Sequence, residues 1–585
     1  MRRLLLALLL CSSALLAQSK PASSAHDQLT KIKDDFYEHS LRESPEQATS
    51  LGDYRYNDKL ADVSLAHQQE MEKSNEEFLA RVKTVSDNGL TDDDRLDRAL
   101  LLFALNQRIE GYHLKTFEMP INQFFGAHLR YANMVSLVPT DSVKHYEDYI
   151  ARLHSIPSRL EQITEVARQG MKDGLMPPKF LLELSANQCK KLADAAGESS
   201  PFAVPLKKMP SSFSAEDQKR IHDGVIAAID NDIRPAYAKL QKFLAEDYAP
   251  HGRTDPGLWA LPNGDKLYQF AIKSSTTTDY TGEQIHQIGL KQVAEAEAQI
   301  AELAKKNGYP SAAAFQKAMH EDPKYKAKSR QQILDDFTKY IDQMNAKLPE
   351  LFGTLPKAKC IVTSVPEYME KESSTQYQRG TPDGSRPGQV WVRTYDPTHF
   401  DMIEDEATAY HEGVPGHHMQ ISIAQELPNV HPFRRLIGNS AYAEGWALYA
   451  ERLGKEVGFY QDPGSDLGRL ESELFRGIRL VVDTGVHYKH WTRDQMADYF
   501  KQHYPTVPQA EIDRYIGVPA QALSYKIGQL KFLELRQRAQ QQLGDKFDLR
   551  KFHDEVLGAG ILPLTILDQR VDQWIQQQKA ETAKK

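Results

Sequence analysis

Cysteine is scarce: the 585-residue chain has three. One of them, Cys11, falls in an N-terminal segment that reads as removable. The other two, Cys189 and Cys360, can form at most one disulfide in an oxidising compartment, so neither a disulfide framework nor a cysteine metal site organises this protein. Long apolar runs are also missing. Beyond the N-terminus nothing approaches the roughly 18 or more apolar residues that a membrane span requires, and no span is expected. Nor is there an excess of one charge. The formal net charge is −8, and removing Arg2 and Arg3 takes it to −10, with both signs interspersed along the chain. Neither nucleic acid nor an anionic membrane surface is favoured as a partner by such a pattern. Internal repeats and low-complexity tracts are absent, and nothing in the chain fixes an oligomeric state.

What is present is a long, helix-patterned chain. With 41% apolar residues over this length, it is globular and too large for one compact core, which predicts two lobes around a cleft. Residues 1–19 read as a secretory signal peptide: Arg2-Arg3, the apolar run Leu4 to Leu10, then small residues from Ser12 to Ala17, with cleavage near Ala17 or Ser19. The mature protein is therefore expected to be exported, periplasmic or extracellular. Leu10 before Cys11, where a small residue would be needed, argues against lipoprotein processing.

Apolar residues recur at spacings of three and four over Asp27 to Leu41, Leu65 to Val82, Thr91 to Tyr112, Ser142 to Asp173 and Ser214 to Phe243. Thr91 reads as a cap, and Thr281 with Gln284 as a capping box. The Pro- and Gly-containing segment Tyr248 to Gly264 is the natural boundary between an N-terminal helical lobe, 20–250, and a catalytic lobe, 251–585. An irregular segment from Lys371 to Gly388 precedes Gln389 to Tyr395, whose alternation reads as a strand.

The chemistry concentrates in Tyr410-His411-Glu412-Gly413-Val414-Pro415-Gly416-His417-His418 and, later, Ala443-Glu444-Gly445-Trp446. Two imidazoles and a carboxylate suit zinc, leave a fourth position for water, and place Glu412 where a general base is needed. The spacing departs from HExxH. On a regular helix His417 would lie about 240° round from His411, and His418 about 10.5 Å further along the axis. Pro415 and Gly416 predict a distortion that returns one imidazole to the metal. His417 is the favoured second ligand, with His418 as the alternative. Asn439-Ser440 reads as the cap of a helix that puts Glu444 in its first turn, with Glu451 seven residues on along the same face.

Two further stretches can complete a site. A helix from Leu467 to Trp491, capped at Ser465 or Asp466, carries Arg479, Asp483 and His487 on one face, with Asp483 placed to hold Arg479 and orient His487. A second helix is expected to start near Pro519 and to carry Tyr525. Tyr525 and His487 are the candidates for steadying an oxyanion, and Arg479 for binding a substrate carboxylate.

His411 to Gln420, Ala443 to Trp446, Arg479 to His487 and Pro519 to Gly528 together resemble the bacterial family catalogued as domain of unknown function 885, from about residue 28 to 576. That family is usually grouped with the gluzincin metallopeptidases. The resemblance implies His411, His417 and Glu444 as ligands of one Zn2+ ion, Glu412 as base, and a peptide substrate. The expectation is a mainly α, two-lobed metallopeptidase-like fold with a small β element beside the active-site helix. A zinc hydrolase of non-peptide amides or esters, and a non-catalytic helical binding protein, are the alternative readings.

Overall fold

A computed structural model describes residues 24–366, 370, 373–382, 384, 386–428, 430–504 and 507–583. The expected signal segment and its cleavage position lie outside the described residues. Helices dominate, and they begin where local chemistry can satisfy their free amides. Thr91 caps Asp92–His113 in a reciprocal box with Asp94, Thr281 and Gln284 do the same for Gly282–Lys306, and Ser142 caps Val143–Lys172. The Ser214 to Phe243 run forms a continuous rod of two α-helices, Ala215–Ala228 and Arg234–Phe243, joined by a π-turn at Ile229–Ile233. Pro235 explains the join, because it can neither donate to the preceding turn nor leave room for its carbonyl.

The strands among the described residues form one small sheet. β1 (Cys360–Ser364) runs parallel to β3 (Gly388–Val392), and β2 (Gln376–Gln378) pairs antiparallel with the other edge of β3. β3 alternates between buried and half-buried positions, as the sequence pattern required, but ends at Val392 rather than Tyr395. There the amide of Arg393 turns to the hydroxyl of Thr375.

The apolar cores do not divide at residue 250. One core spans positions 60–249, but the helices before residue 113 contribute Leu29, Phe36, Phe78 and Leu100 to a core shared with Phe337, Tyr410, Trp446 and Phe532. A buried ionic cluster ties the N-terminal helices to the segment after the His417–Glu426 helix: Asp97 accepts from Lys33 at 2.7 Å and from Arg434 at 2.5 Å. The cysteines sit apart in these cores, and Cys189 and Cys360 are both free thiols.

Four helices position the site. The His411 helix is Asp405–Glu412, the Glu444 helix Ser440–Glu456, the central helix Pro463–His487, and the Tyr525 helix Leu523–Leu543. The central helix starts earlier than its sequence suggests, because Asp462 accepts from the amides of Gly464 and Ser465 and so takes the capping role expected of Ser465 or Asp466. The Tyr525 helix starts later than Pro519. Ala520 adopts a left-handed φ of 63°, and its amide donates to both oxygens of Asp483, so the chain turns before it coils.

The Glu444 and Tyr525 helices meet almost backbone to backbone. A Cβ on Gly528 would lie 2.0 Å from the Ala441 carbonyl oxygen, and one on Gly445 2.4 Å from the Gly528 Cα. This contact brings Glu444 and Tyr525 to the same side of the helix pair. Gly528→Val should force the helices apart and lower stability by ~2 kcal/mol or more, read as a lower denaturation midpoint. An unchanged midpoint would show that the close approach is dispensable.

Candidate metal centre

His411 lies one residue before the end of its helix. Gly413-Val414-Pro415-Gly416 then forms a turn with a cis Val414-Pro415 bond, and a new helix, His417–Glu426, begins at the second imidazole. The expected distortion of one helix is thus a complete break into two. Gly416 is required there: a Cβ would lie 2.0 Å from the His411 carbonyl oxygen. The Trp446 indole donates to the Pro415 carbonyl at 2.8 Å and pins the turn to the Glu444 helix.

The break sets the two rings 4.9 Å apart and perpendicular, at 88°. Their Nε2 atoms face the same oxygen, Glu444 Oε2, at 3.5 Å from His411 and 3.4 Å from His417. All three donor atoms lie within 4.8 Å of one another. These separations exceed the roughly 2.7–2.9 Å of a charge-assisted hydrogen bond. They match the roughly 3.3–3.6 Å between ligand atoms that each sit about 2.0–2.2 Å from one tetrahedral ion. The donor set therefore fits a zinc-sized cation better than it fits mutual hydrogen bonding.

A carboxylate behind the site orients the first imidazole. His411 Nδ1 faces Glu451 Oε1 at 2.7 Å, and the other Glu451 oxygen accepts from Ser472 Oγ at 2.6 Å. A proton held on Nδ1 leaves the Nε2 lone pair directed at the shared point. Glu451 was visible in the sequence as a carboxylate on the face of Glu444, but its task depends on Ser472 of the central helix. His417 Nδ1, by contrast, is buried without a hydrogen-bond partner.

Three carboxylates against two imidazoles make this a site that attracts positive charge. Burial works against a charged His411, but Glu444 and Glu451 outweigh it and carry its pKa up to about 10. Burial likewise raises the pKa of Glu444, and the two imidazoles override that and hold it far below the usual carboxylate range. Glu412 is shifted upward by burial, which the imidazoles only partly offset. Its Oε2 accepts from the backbone amide of Tyr377 in β2 at 2.8 Å, so the sheet edge holds the carboxylate beside the imidazoles.

His418, the alternative ligand, points elsewhere. Its Nε2 bonds the Ala358 carbonyl at 3.1 Å and its Nδ1 the Tyr377 hydroxyl at 3.1 Å, so as the next residue on a helix it anchors the sheet instead. His487 does not reach the site either. It is buried away from the cleft, with Nδ1 accepting from the Leu258 amide at 3.0 Å and Nε2 bonding the Tyr515 carbonyl at 2.9 Å, and burial takes its pKa down to about 3. With both ring nitrogens committed to backbone it cannot serve an oxyanion. Asp483 does not hold Arg479 either. It accepts from the Tyr268 hydroxyl and the Ala520 amide, and burial raises its pKa to about 7.

Tyr525 and Arg479 do reach the site. The Tyr525 ring lies 6.5 Å from that of His411, nearly parallel, and the Arg479 guanidinium sits 4.8 Å from the Tyr525 ring centre. Arg479 also donates to Glu511 at 2.8 Å and to the Tyr515 hydroxyl at 3.1 Å. His411, Glu412, His417, Glu444, Tyr525 and Arg479 all line one cavity of about 1050 Å³. Ser374 to Tyr377 form part of its wall, so the sheet edge that holds Glu412 also faces this space.

A profile of the bacterial family of unknown function, DUF885, matches residues 45–571, and the chain belongs to that family. Two solved structures share its fold, both described as putative lipoproteins. The protein from Colwellia psychrerythraea is 29% identical with a TM-score of 0.90, covering 95% of this chain and 100% of its own. The protein from Shewanella oneidensis, described as of unknown function, is 19% identical with a TM-score of 0.70, covering 94% of this chain and 99% of its own. No curated protein matches the chain.

Because His487 bridges two backbone groups, His487→Leu should leave both unpaired and cost about 1–3 kcal/mol of stability. Denaturant unfolding checks this. A variant as stable as the parent would contradict the structural assignment of His487.

Proposed function

We propose that this protein is an exported zinc-dependent hydrolase that cleaves peptide bonds. The observation that carries the reading is the convergence of His411 Nε2, His417 Nε2 and Glu444 Oε2 at metal-ligand spacing, with the Glu412 carboxylate beside them at the wall of a large cavity. A site built only for structure has no need of a base next to its ligands, and it usually fills its fourth position with protein. No fourth side chain closes this set among the described residues.

When bound, zinc supplies Lewis acidity that makes water acidic enough to be deprotonated near neutral pH. The residues of the chain do the rest. Glu412, held at one oxygen by the Tyr377 amide, takes the proton from water and delivers it to the leaving amine. Tyr525, on the cavity wall above the His411 ring, donates its hydroxyl to the scissile carbonyl oxygen as negative charge develops there. Glu451 and Ser472 keep the His411 ring in register. The leader-like residues 1–19 and the description of both structural relatives as lipoproteins support export. No helix among the described residues is long and apolar enough to cross a membrane.

Metal analysis of purified protein should find one zinc per chain, lost in His417→Ala and kept in His418→Ala. Glu451→Gln should weaken zinc binding by about 10–100-fold. Glu412→Gln should keep the metal and lower peptide hydrolysis by about 100-fold or more. Zinc retained by His417→Ala, or full activity in Glu412→Gln, would contradict the assignment.

A further inference from the structure

Beyond the ligands, the cavity wall carries an unbalanced group of arginines. Arg476 and Arg479 come from the central helix and Arg514 from Gln509–Gly517, and all three line the same space. Two of them are occupied. Arg479 donates to Glu511 and to the Tyr515 hydroxyl. Arg514 donates to Gln521 Oε1 at 2.7 Å and lies 3.6 Å from the same Glu511. One carboxylate thus serves two guanidiniums.

Arg476 has no carboxylate within ion-pair distance among the described residues. Its Nε is buried without a partner, and the contact of its Nη1 is a long one, 3.5 Å to the Ser472 carbonyl. Glu404, on the same wall, feels its charge but does not pair with it. Burial raises the pKa of Glu404, and the Tyr504 hydroxyl donates to it at 2.9 Å. Asp401 and Glu471 are engaged, holding His320 between them at 2.7 and 3.0 Å, whereas Asp405, also on the wall, keeps one buried oxygen without a partner. A half-buried guanidinium with unmet donors is suited to an incoming anion, and its planar fork matches a carboxylate best.

We infer that Arg476 binds the free α-carboxylate at the C-terminus of a peptide, so that the hydrolase proposed above, on whose reading this rests, removes residues from C-terminal ends. The position suits the task. Arg476 is one helical turn beyond Ser472, which braces Glu451 behind His411, and its neighbour Arg479 abuts the Tyr525 ring. Arg476 and Glu412 line the same cavity, so a peptide held at its carboxylate by Arg476 runs along the wall that carries Glu412.

The test uses a library of N-acetylated tripeptides, each made as the free acid and as the C-terminal amide. The zinc-loaded full chain should shorten the acids from the C-terminus with kcat/KM on the order of tenfold or more above the amides. Arg476→Gln should bring the acids down toward the amides, and Arg476→Lys, which keeps the charge but loses the fork, should fall between. Equal rates on acids and amides, or cuts confined to the N-terminal side, overturn the inference. Equilibrium dialysis of the same library against Glu412→Gln protein reads binding without turnover, and should retain acids on the order of tenfold more tightly than amides. No preference for acids there overturns the carboxylate site. Acids bound through Arg476 but never cut overturn the peptidase reading and leave the carboxylate site standing.

Discussion

Two imidazoles from consecutive helices converge on one oxygen of Glu444, and much of the surrounding architecture exists to hold them there. Left to themselves, buried carboxylates and imidazoles would separate, find water or exchange protons, because uncompensated charge in a protein interior is costly. This site keeps three carboxylates close to two rings and resists relaxation through neighbouring constraints. Trp446 fixes the turn between the rings, Gly416 lets the chain fold back onto the His411 carbonyl, and Glu451 with Ser472 fixes the far side of His411. The proposed zinc ion is a species that would satisfy such an arrangement without moving it.

The same constraints place the groups proposed to react. Glycines 445 and 528 let two helices touch along their backbones, which sets Tyr525 on the His411 side of the pair. The short sheet does two jobs from β2: its Tyr377 amide holds Glu412, and its Tyr377 hydroxyl binds His418 and keeps that ring facing the sheet. Adjacent histidines on one helix thereby acquire opposite roles, His417 facing Glu444 and His418 facing Ala358. The cavity wall beyond Tyr525 adds a cationic character that neither the proposed metal nor the proposed base requires.

Much of this was legible in the residues, because it rests on local rules. The caps at Thr91, Thr281 and Asn439 follow from side chains that satisfy free amides, and β3 follows from its period of two. Belonging to the family was legible in the motif segments, and so was the identity of the residues that the fold brings together at 411, 417 and 444. The rest depends on partners distant in sequence. Periodicity put Arg479, Asp483 and His487 on one face, yet their partners are distant in sequence: Glu511 and Tyr515 for Arg479, Tyr268 and Ala520 for Asp483, Leu258 and Tyr515 for His487. Spacing cannot say that Pro415 ends one helix outright, since a kink and a break share the same sequence signal. Nor can it reveal that helices before residue 113 complete a C-terminal core.

The most direct test of the account is anomalous diffraction from crystals of the zinc-loaded protein, recorded above and below the zinc edge. The account predicts one strong peak at bonding distance, about 2.0–2.2 Å, from His411 Nε2, His417 Nε2 and Glu444. A map with no peak there, or with zinc held by His418 instead, would contradict it.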